Sequence, residues 1–330
     1  MLSYRNVLKQ SWQITWRNKY LWIFGIFAAL LGNGGEYEIL SRSLSGDDHA
    51  IWPSFYRVIQ TGVFGKQTFN NVIQWMNEDI LSFLMMSGVV LAILVISCFL
   101  IWLIMVSQIA IVNNAGNIIK RKKNNFQDGV NSGTKNFWSI LGLNVISKII
   151  ICLLLILISL PIIFFVNKIS IAMTGLLFSI LFIIFVPIAI SLSFIIKYAI
   201  AYVVVKNSSL INAFKQAWQL FMNNWIISLE TALILFFINF VAGLAIALVI
   251  LAMAIPFLSL GIIVYLLTSE VGFWVIAVLA FISALLLIGV GGAMLAVFQI
   301  SSWTGLFVEL VKNGGTAKII RVLDYGKKDK

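Results

Sequence analysis

The stretch NVLKQSWQITWRNKYLWIFGIFAALLG, residues 6–32, joins a helix suited to the membrane surface to one suited to the membrane interior. In its first half Leu8, Trp12 and Trp16 recur every fourth residue and share one helix face, while polar residues occupy the other faces. Its second half, 20–31, is an uncharged apolar run. The pattern predicts an amphipathic interfacial helix that continues into a span, entering the bilayer near Trp16.

The composition of the whole chain is that of a membrane protein. Of the 330 residues, 61% are hydrophobic and 11% are charged, whereas soluble domains have about 50% apolar and about 25% charged residues. A helix needs roughly 20 apolar residues to cross a bilayer. Five further segments supply them: 81–112, 137–166, 171–196, 225–255 and 273–300. Together with the N-terminal run they predict six transmembrane helices.

The basic residues predict the orientation in the membrane. Of the 23 Lys and Arg residues, 18 lie in the N-terminal segment, the second and fourth connections and the C-terminal tail. Four lie in the other connections, and Lys148 lies within a span. By the positive-inside rule, the N- and C-termini are cytoplasmic. The first outer connection, 33–78, is polar with several aromatic residues, and we expect it to form a small ordered cap.

The N-terminal pattern recurs at two internal places, each directly before an odd-numbered span. LKQSWQITWRNKYLW (8–22) and FKQAWQLFMNNWIIS (214–228) share five identities, and FQDGVNSGTKNFWSI (126–140) is a fainter third copy. The aligned asparagines are Asn18, Asn224 and Asn136. A cleavable signal peptide is the alternative interpretation of the first copy, but such a peptide does not recur inside a chain. Independent enrichment of Trp and Lys beside membrane spans is the alternative to a repeat.

These patterns predict an all-α integral membrane protein in which one transmembrane domain covers the whole chain. Its six transmembrane helices form three helical hairpins, each preceded by a cytoplasmic amphipathic interfacial helix. The predicted repeat units are 1–112, 113–206 and 207–330. In the third unit Pro256 is expected to end the fifth span. The apolar segment 257–267 that follows is too short to cross, so we expect it to lie in the outer leaflet.

The amphipathic helices predict a basic and aromatic collar at the cytoplasmic headgroup layer. Tryptophan favours this level, and lysine clusters beside a span attract anionic headgroups. The collar consists of Lys9, Trp12, Trp16, Lys120, Arg121, Lys122, Lys123, Lys215 and Trp218. The net charge of +11 also raises nucleic acid as a partner, but cytoplasmic loops are expected to be basic in any case. We therefore expect anionic membrane lipids as partners and no nucleic acid, with a protein partner left open.

Polar residues inside the spans form a second candidate site. Lys148, Glu230 and Lys197, with the amide of Asn144, could line a polar pathway or pocket in which Glu230 pairs with one of the lysines. The alternatives are an ion pair that fixes helix order, or lysines that extend toward the interface.

Catalytic and metal-binding patterns are missing from the sequence. His49 is the only histidine, which argues against histidine-rich metal sites and histidine-assisted nucleophiles. Asp47, Asp48 and His49 could bind a metal, but a solvated loop is the simpler interpretation. Both cysteines fall inside apolar spans, so neither a disulfide framework nor a metal cluster is expected. We expect no metal, no cofactor and no enzymatic activity.

Five landmarks carry a resemblance to a known group: WRNKYLWIFGIFAAL, VSQIAIVNNAGN, FQDGVNSGTKNFWSILGLNVI, INAFKQAWQLFMNNWIISLE and SSWTGLFVELVKNGG. Across nearly its whole length the chain resembles uncharacterised bacterial six-span membrane proteins. These are similar to the membrane domain of some bacterial glycerophosphodiester phosphodiesterases. In those enzymes catalysis belongs to a separate soluble barrel, for which this chain has no counterpart. The resemblance thus implies a fold and a bacterial plasma membrane, and no activity.

The leading functional hypothesis is a non-enzymatic, multi-pass membrane protein that organises lipids or anchors a partner. The alternative is a transporter or channel for a small or lipidic solute, which would use the polar residues inside the spans. An intramembrane enzyme comes third.

Overall fold

Every regular element in the described part of the chain is a helix. The computed structural model describes residues 4–30, 76, 79–122, 124–165, 171–267 and 270–313, so the predicted cap lies almost wholly outside the described residues. The helices are α1 Tyr4–Arg17, α2 Leu21–Ala29, α3 Ile80–Ile119, α4 Phe126–Phe165, α5 Ile171–Lys206, α6 Leu210–Asn223, α7 Trp225–Leu267 and α8 Glu270–Asn313.

Five of these helices contain segments long and apolar enough to cross a membrane. The segments are Ile80–Ile119, Phe126–Leu154, Ile183–Lys206, Trp225–Leu267 and Glu270–Lys312. They confirm the five long spans expected from the sequence and a multi-pass membrane protein. Helices α7 and α8 extend over 43 and 44 residues, about 65 Å at 1.5 Å per residue. Because the hydrocarbon core is about 30 Å thick, such helices project well beyond it.

The N-terminal segment forms two short helices instead of one continuous helix. Helix α1 ends at Arg17, and carbonyls of its last turn accept hydrogen bonds from side chains that follow it. The Asn18 amide donates to the Ile14 carbonyl at 3.0 Å, and the Trp22 indole donates to the Thr15 carbonyl at 2.8 Å. Helix α2 has nine residues, about 14 Å, which does not cross a bilayer. The sixth span therefore stays a prediction.

The prediction that a helix ends at Pro256 is wrong. Helix α7 runs through this residue to Leu267, and the segment after it packs against the start of α8. Gly261 is buried there beside Phe273 of α8, and the Tyr265 and Phe273 rings lie 6.4 Å apart. Packing between α7 and α8 thus outweighs the local cost of a proline, which membrane helices tolerate better than soluble ones.

The chain divides into two compact units, Gly34–Leu103 and the remainder, which we describe separately. In the first unit, the side chains of α3 from Ile80 to Ile101 are almost all exposed. In the second unit, burial is concentrated in one part, which we call the packed half. It consists of 105–119, 126–147, 185–206, 225–235 and 293–310, with α1, α2 and α6. Outside it, α7 and α8 expose large apolar side chains, as lipid-facing helices do.

Three long helices meet at the centre of the packed half. A Cβ atom added to Gly116 of α3 would lie 3.0 Å from Val205 of α5 and 3.8 Å from Thr304 of α8. The aromatic rings of Tyr198 and Phe307, both fully buried, continue the contact between α5 and α8 with centroids 6.5 Å apart. A residue without a side chain lets the three backbones approach closely at this point.

Three other helical segments pack around this centre. The first turns of α4 lie on α3, where Gly133 faces Val106. Helix α6 lies on α5, with the Phe194 and Phe221 rings 5.7 Å apart. Helix α1 lies on α8, where Gly305 faces Val7. Each long central helix is therefore covered on one side by an adjacent segment.

We expect Gly133→Ala to destabilise the packed half. The new Cβ atom would lie 2.6 Å from Val106 Cγ1 and 2.9 Å from the Val106 carbonyl oxygen, so α4 would have to move away from α3. Overpacking of this kind costs about 1–3 kcal/mol and should lower the melting temperature of the protein in detergent. Gly243→Ala is the matched control because nothing lies within 4 Å of its Cβ position. Equal melting temperatures for the two variants would contradict the close contact.

Candidate functional site

A basic pocket opens where α3 and α5 end and α4 begins. Its cavity of about 300 Å³ lies within the second unit, and its lining is dominated by lysine and asparagine. The lining residues are Asn113, Asn117, Lys120, Lys122, Asn131, Ser132, Lys135, Asn136, Val204, Val205 and Asn207. None of them is acidic.

The two helix ends that form the pocket close with residues in the left-handed region. Arg121 after α3 has φ 57°, and Asn207 after α5 has φ 53°. After α3, the Lys122 amide donates to the Asn117 carbonyl at 3.0 Å and the Arg121 amide donates to the Ile118 carbonyl at 2.9 Å. This pair of bonds is a Schellman motif, which normally has glycine where Arg121 stands. The reversal of the chain places Lys120 and Lys122 on the pocket wall.

Several positive charges lie around Lys120. Its ammonium donates to the carbonyl of Val205 at 3.4 Å, near the end of α5. Burial, and then the neighbouring charges of Lys122 and Lys206, lower the pKa of Lys120 below its ordinary value. The Lys206 ammonium lies 5.4 Å from the centroid of the Tyr202 ring. Cations at a helix C-terminus interact favourably with the helix dipole, so Lys120 and Lys206 also stabilise the ends of α3 and α5.

The predicted collar falls into two groups in the structure. Lys120 and Lys122 line the pocket, Arg121 is exposed beside it, and Lys123 lies outside the described residues. The other members point outward on α1 and α6: Lys9, Trp12, Trp16, Lys215 and Trp218. The opposite faces of α1 and α6 are buried against the protein.

The sequence patterns did not reveal Lys135, the third lysine of the pocket, or the asparagines around it. In the sequence Lys135 is one of several basic residues in the second connection, and its place beside Lys120 depends on how α4 packs on α3. The signal available in the sequence was the density of asparagine around the ends of α3 and α5: Asn113, Asn114, Asn117, Asn124, Asn125 and Asn207.

The four polar residues predicted inside the spans do not line this pocket. Lys148 is exposed on α4, and Glu230 is half-buried on α7. The Lys197 ammonium lies 4.9 Å from the Trp303 ring centroid, a cation–π contact. The Asn144 amide donates to the Ile140 carbonyl at 3.0 Å and approaches the Met105 sulfur at 3.5 Å. The geometry of Asn144 thus supports a role in the contact between α4 and α3.

The chemistry available in the pocket is anion binding. Ammonium groups attract phosphate and carboxylate oxygens, and asparagine amides can donate hydrogen bonds to the same atoms. Within the described residues, no group of three or more His, Cys, Asp or Glu side chains is placed to hold a metal ion.

No protein family model, curated protein or solved structure matches this chain. The resemblance to bacterial six-span proteins therefore rests on its sequence landmarks alone.

We expect Lys120 to react unusually fast with amine-selective acylating reagents. A lowered pKa leaves more of the amine unprotonated, and therefore nucleophilic, at about pH 8. Lys206→Gln removes one neighbouring positive charge, so the pKa of Lys120 should rise and its labelling should slow. Mass spectrometry of the labelled peptides, normalised to the exposed Lys312, measures this difference. An unchanged labelling rate in Lys206→Gln would contradict the electrostatic coupling between the two side chains.

Proposed function

We propose that this is a non-enzymatic, multi-pass protein of the bacterial plasma membrane that organises anionic lipids, or anchors a partner, at its cytoplasmic face. The observation that carries the proposal is the outward-facing tryptophan and lysine of α1 and α6. Trp12 is 56% exposed and Trp218 is 48% exposed, each with a lysine three residues before it on the same helix. A helix that buries one face in its own protein and exposes such residues on the other is suited to the headgroup layer.

Further exposed tryptophans support this placement. Trp16 lies next to Trp12, with ring centroids 5.5 Å apart, and Trp225 is exposed at the start of α7. Trp138 is exposed on α4. An indole ring has a large apolar surface and one hydrogen-bond donor, so it favours the boundary between hydrocarbon and water. On this proposal, the N- and C-termini and the packed half adjoin the cytoplasm.

The proposal includes three repeated units with six spans. Its support is that the three aligned asparagines make the same local bond, in which each amide donates to the carbonyl four residues earlier; Asn144, outside the alignment, makes this bond too. The bonds are Asn18 to Ile14 at 3.0 Å, Asn136 to Ser132 at 3.1 Å and Asn224 to Leu220 at 3.0 Å. One helix ends directly before Asn18 and before Asn224 and another begins after each of them, whereas α4 continues through Asn136.

The packing order also supports the three proposed repeat units. The amphipathic segment of repeat unit 113–206 lies on α3 of repeat unit 1–112. Helix α6 of repeat unit 207–330 lies on α5 of repeat unit 113–206. Helix α1 of repeat unit 1–112 lies on α8 of repeat unit 207–330. Each amphipathic segment would thus cover the last helix of the preceding unit, and the third unit would be followed by the first.

Buried polar atoms without hydrogen-bond partners among the described residues support the transporter or channel hypothesis. Three polar side chains of the packed half, Gln108, Asn114 and Ser301, have buried atoms that make no hydrogen bond to any residue the structure describes. Unpaired buried polar atoms cost free energy, and a polar solute or water could pair them. The exposed position of Lys148 does not favour the site first predicted for transport.

The lipid proposal predicts that the collar lysines retain anionic lipid. Each lysine near a membrane surface contributes about 1 kcal/mol, so Lys9→Gln with Lys215→Gln should reduce enrichment of phosphatidylglycerol around the purified protein about tenfold or more. Quantifying the lipids that co-purify from mixed phosphatidylglycerol and phosphatidylcholine membranes measures this.

Lys312→Gln removes an exposed charge from the last turn of α8 and is the matched control. The proposal fails if the wild-type protein shows no preference for phosphatidylglycerol, or if the control loses as much lipid as the collar variant.

A further inference from the structure

The basic pocket is built differently from the outward-facing collar. Collar lysines stand on separate helices, whereas Lys120, Lys122 and Lys135 line one cavity with no carboxylate among its lining residues. The positive charges of Lys122 and Lys206 act on Lys120, and an anion bound in the cavity would offset that repulsion. A cavity of about 300 Å³ is at the lower end of the range for small-molecule sites.

The charge balance favours a doubly charged group. A phosphodiester, as in phosphatidylglycerol, carries one negative charge, whereas a phosphomonoester carries about 1.5 to 2 near pH 7 and three terminal oxygens. Against three lysines, a monoester neutralises more of the charge and offers each ammonium an oxygen of its own. Lysine suits such a group because its ammonium acts as a compact point charge.

A neutral side chain of the pocket, Asn131, fits the same ligand. The Asn131 carbonyl oxygen accepts from the Gln127 amide at 3.5 Å, which leaves the Asn131 amide group to donate. The Lys120 ammonium is 3.4 Å from the Val205 carbonyl, longer than a strong charge-assisted hydrogen bond. Lys120 can therefore turn to an anion without breaking a strong contact.

On the proposed orientation, the pocket also lies close to the level of the headgroups. Lys135 lines it, and Trp138, three residues further along α4, is 78% exposed. Three residues of helix rise about 4.5 Å, less than one turn. If Trp138 marks the membrane interface, a phosphate of the cytoplasmic leaflet can reach Lys135.

We propose that the pocket bounded by the ends of α3 and α5 and the start of α4 binds a phosphomonoester group through Lys120, Lys122 and Lys135. The group is either the headgroup of a lipid such as phosphatidic acid or a soluble monoester such as glycerol 3-phosphate. The lipid source rests on the function proposed above, whereas the soluble source does not.

The test measures binding to the full-length protein in phosphatidylcholine nanodiscs. In one arm, phosphatidic acid is compared with phosphatidylglycerol in discs matched for surface potential. In the other, glycerol 3-phosphate and inorganic phosphate are titrated by calorimetry. We expect phosphatidic acid to bind at least tenfold more tightly than phosphatidylglycerol. Lys122→Gln with Lys135→Gln should remove that preference, while Lys312→Gln, at an exposed site outside the pocket, should keep it.

The arms separate the possible ligands. Competition of glycerol 3-phosphate with phosphatidic acid, or its binding alone with the same dependence on Lys122 and Lys135, supports a monoester site open to soluble ligands. A preference for phosphatidic acid without soluble binding supports a lipid site. Equal binding of phosphatidic acid and phosphatidylglycerol at matched potential, with no soluble binding, overturns the monoester site, and the collar then remains as an unspecific attraction for anionic lipid. Circular dichroism of the double variant verifies that it is folded.

Discussion

The structure depends on the close approach of three long helices at Gly116. Small residues let helices approach closely where they cross. Here Gly116, Gly133 and Gly305 stand where helices cross, and each faces a branched or bulky side chain of its neighbour. Fixing α3, α5 and α8 in this way also fixes their ends. The basic pocket is a product of that constraint, since two of its walls are helix ends that the packing brings together.

The pocket combines a structural and a chemical use of the same lysines. At a helix C-terminus, lysine offsets the partial negative charge of unpaired carbonyls. Lys120 and Lys122 at the end of α3, with Lys206 at the end of α5, provide more charge than one carbonyl contact requires, as the 3.4 Å distance from Lys120 to Val205 illustrates. The excess gives the site its attraction for anions. Arg121, in a backbone conformation more favourable to glycine, keeps one more positive charge close by.

Composition and periodicity were enough to predict the membrane spans, whereas features that depend on packing between helices could not be predicted from the sequence. Five spans followed directly from apolar runs, because a bilayer requires such runs whatever their neighbours are. The break expected at Pro256 did not occur, because packing of α7 on α8 is not visible in a local pattern. Nor could the sequence bring Lys135 to Lys120: the residues are 15 apart and meet only when α4 folds back on α3. Lys120 and Lys122 were foreseen as basic residues, but not as the wall of a cavity.

The great length of α7 and α8 has a thermodynamic consequence. These helices are about twice as long as the hydrocarbon core is thick. If the exposed apolar half of the protein is embedded in lipid, much of the packed half must therefore lie in or near water. Burial of Tyr198, Phe307 and Leu306 there removes apolar surface from water, as in a soluble domain. One chain would then unfold by two kinds of thermodynamics. Its packed half should respond to urea and show a large heat-capacity change, and its lipid-embedded half should do neither.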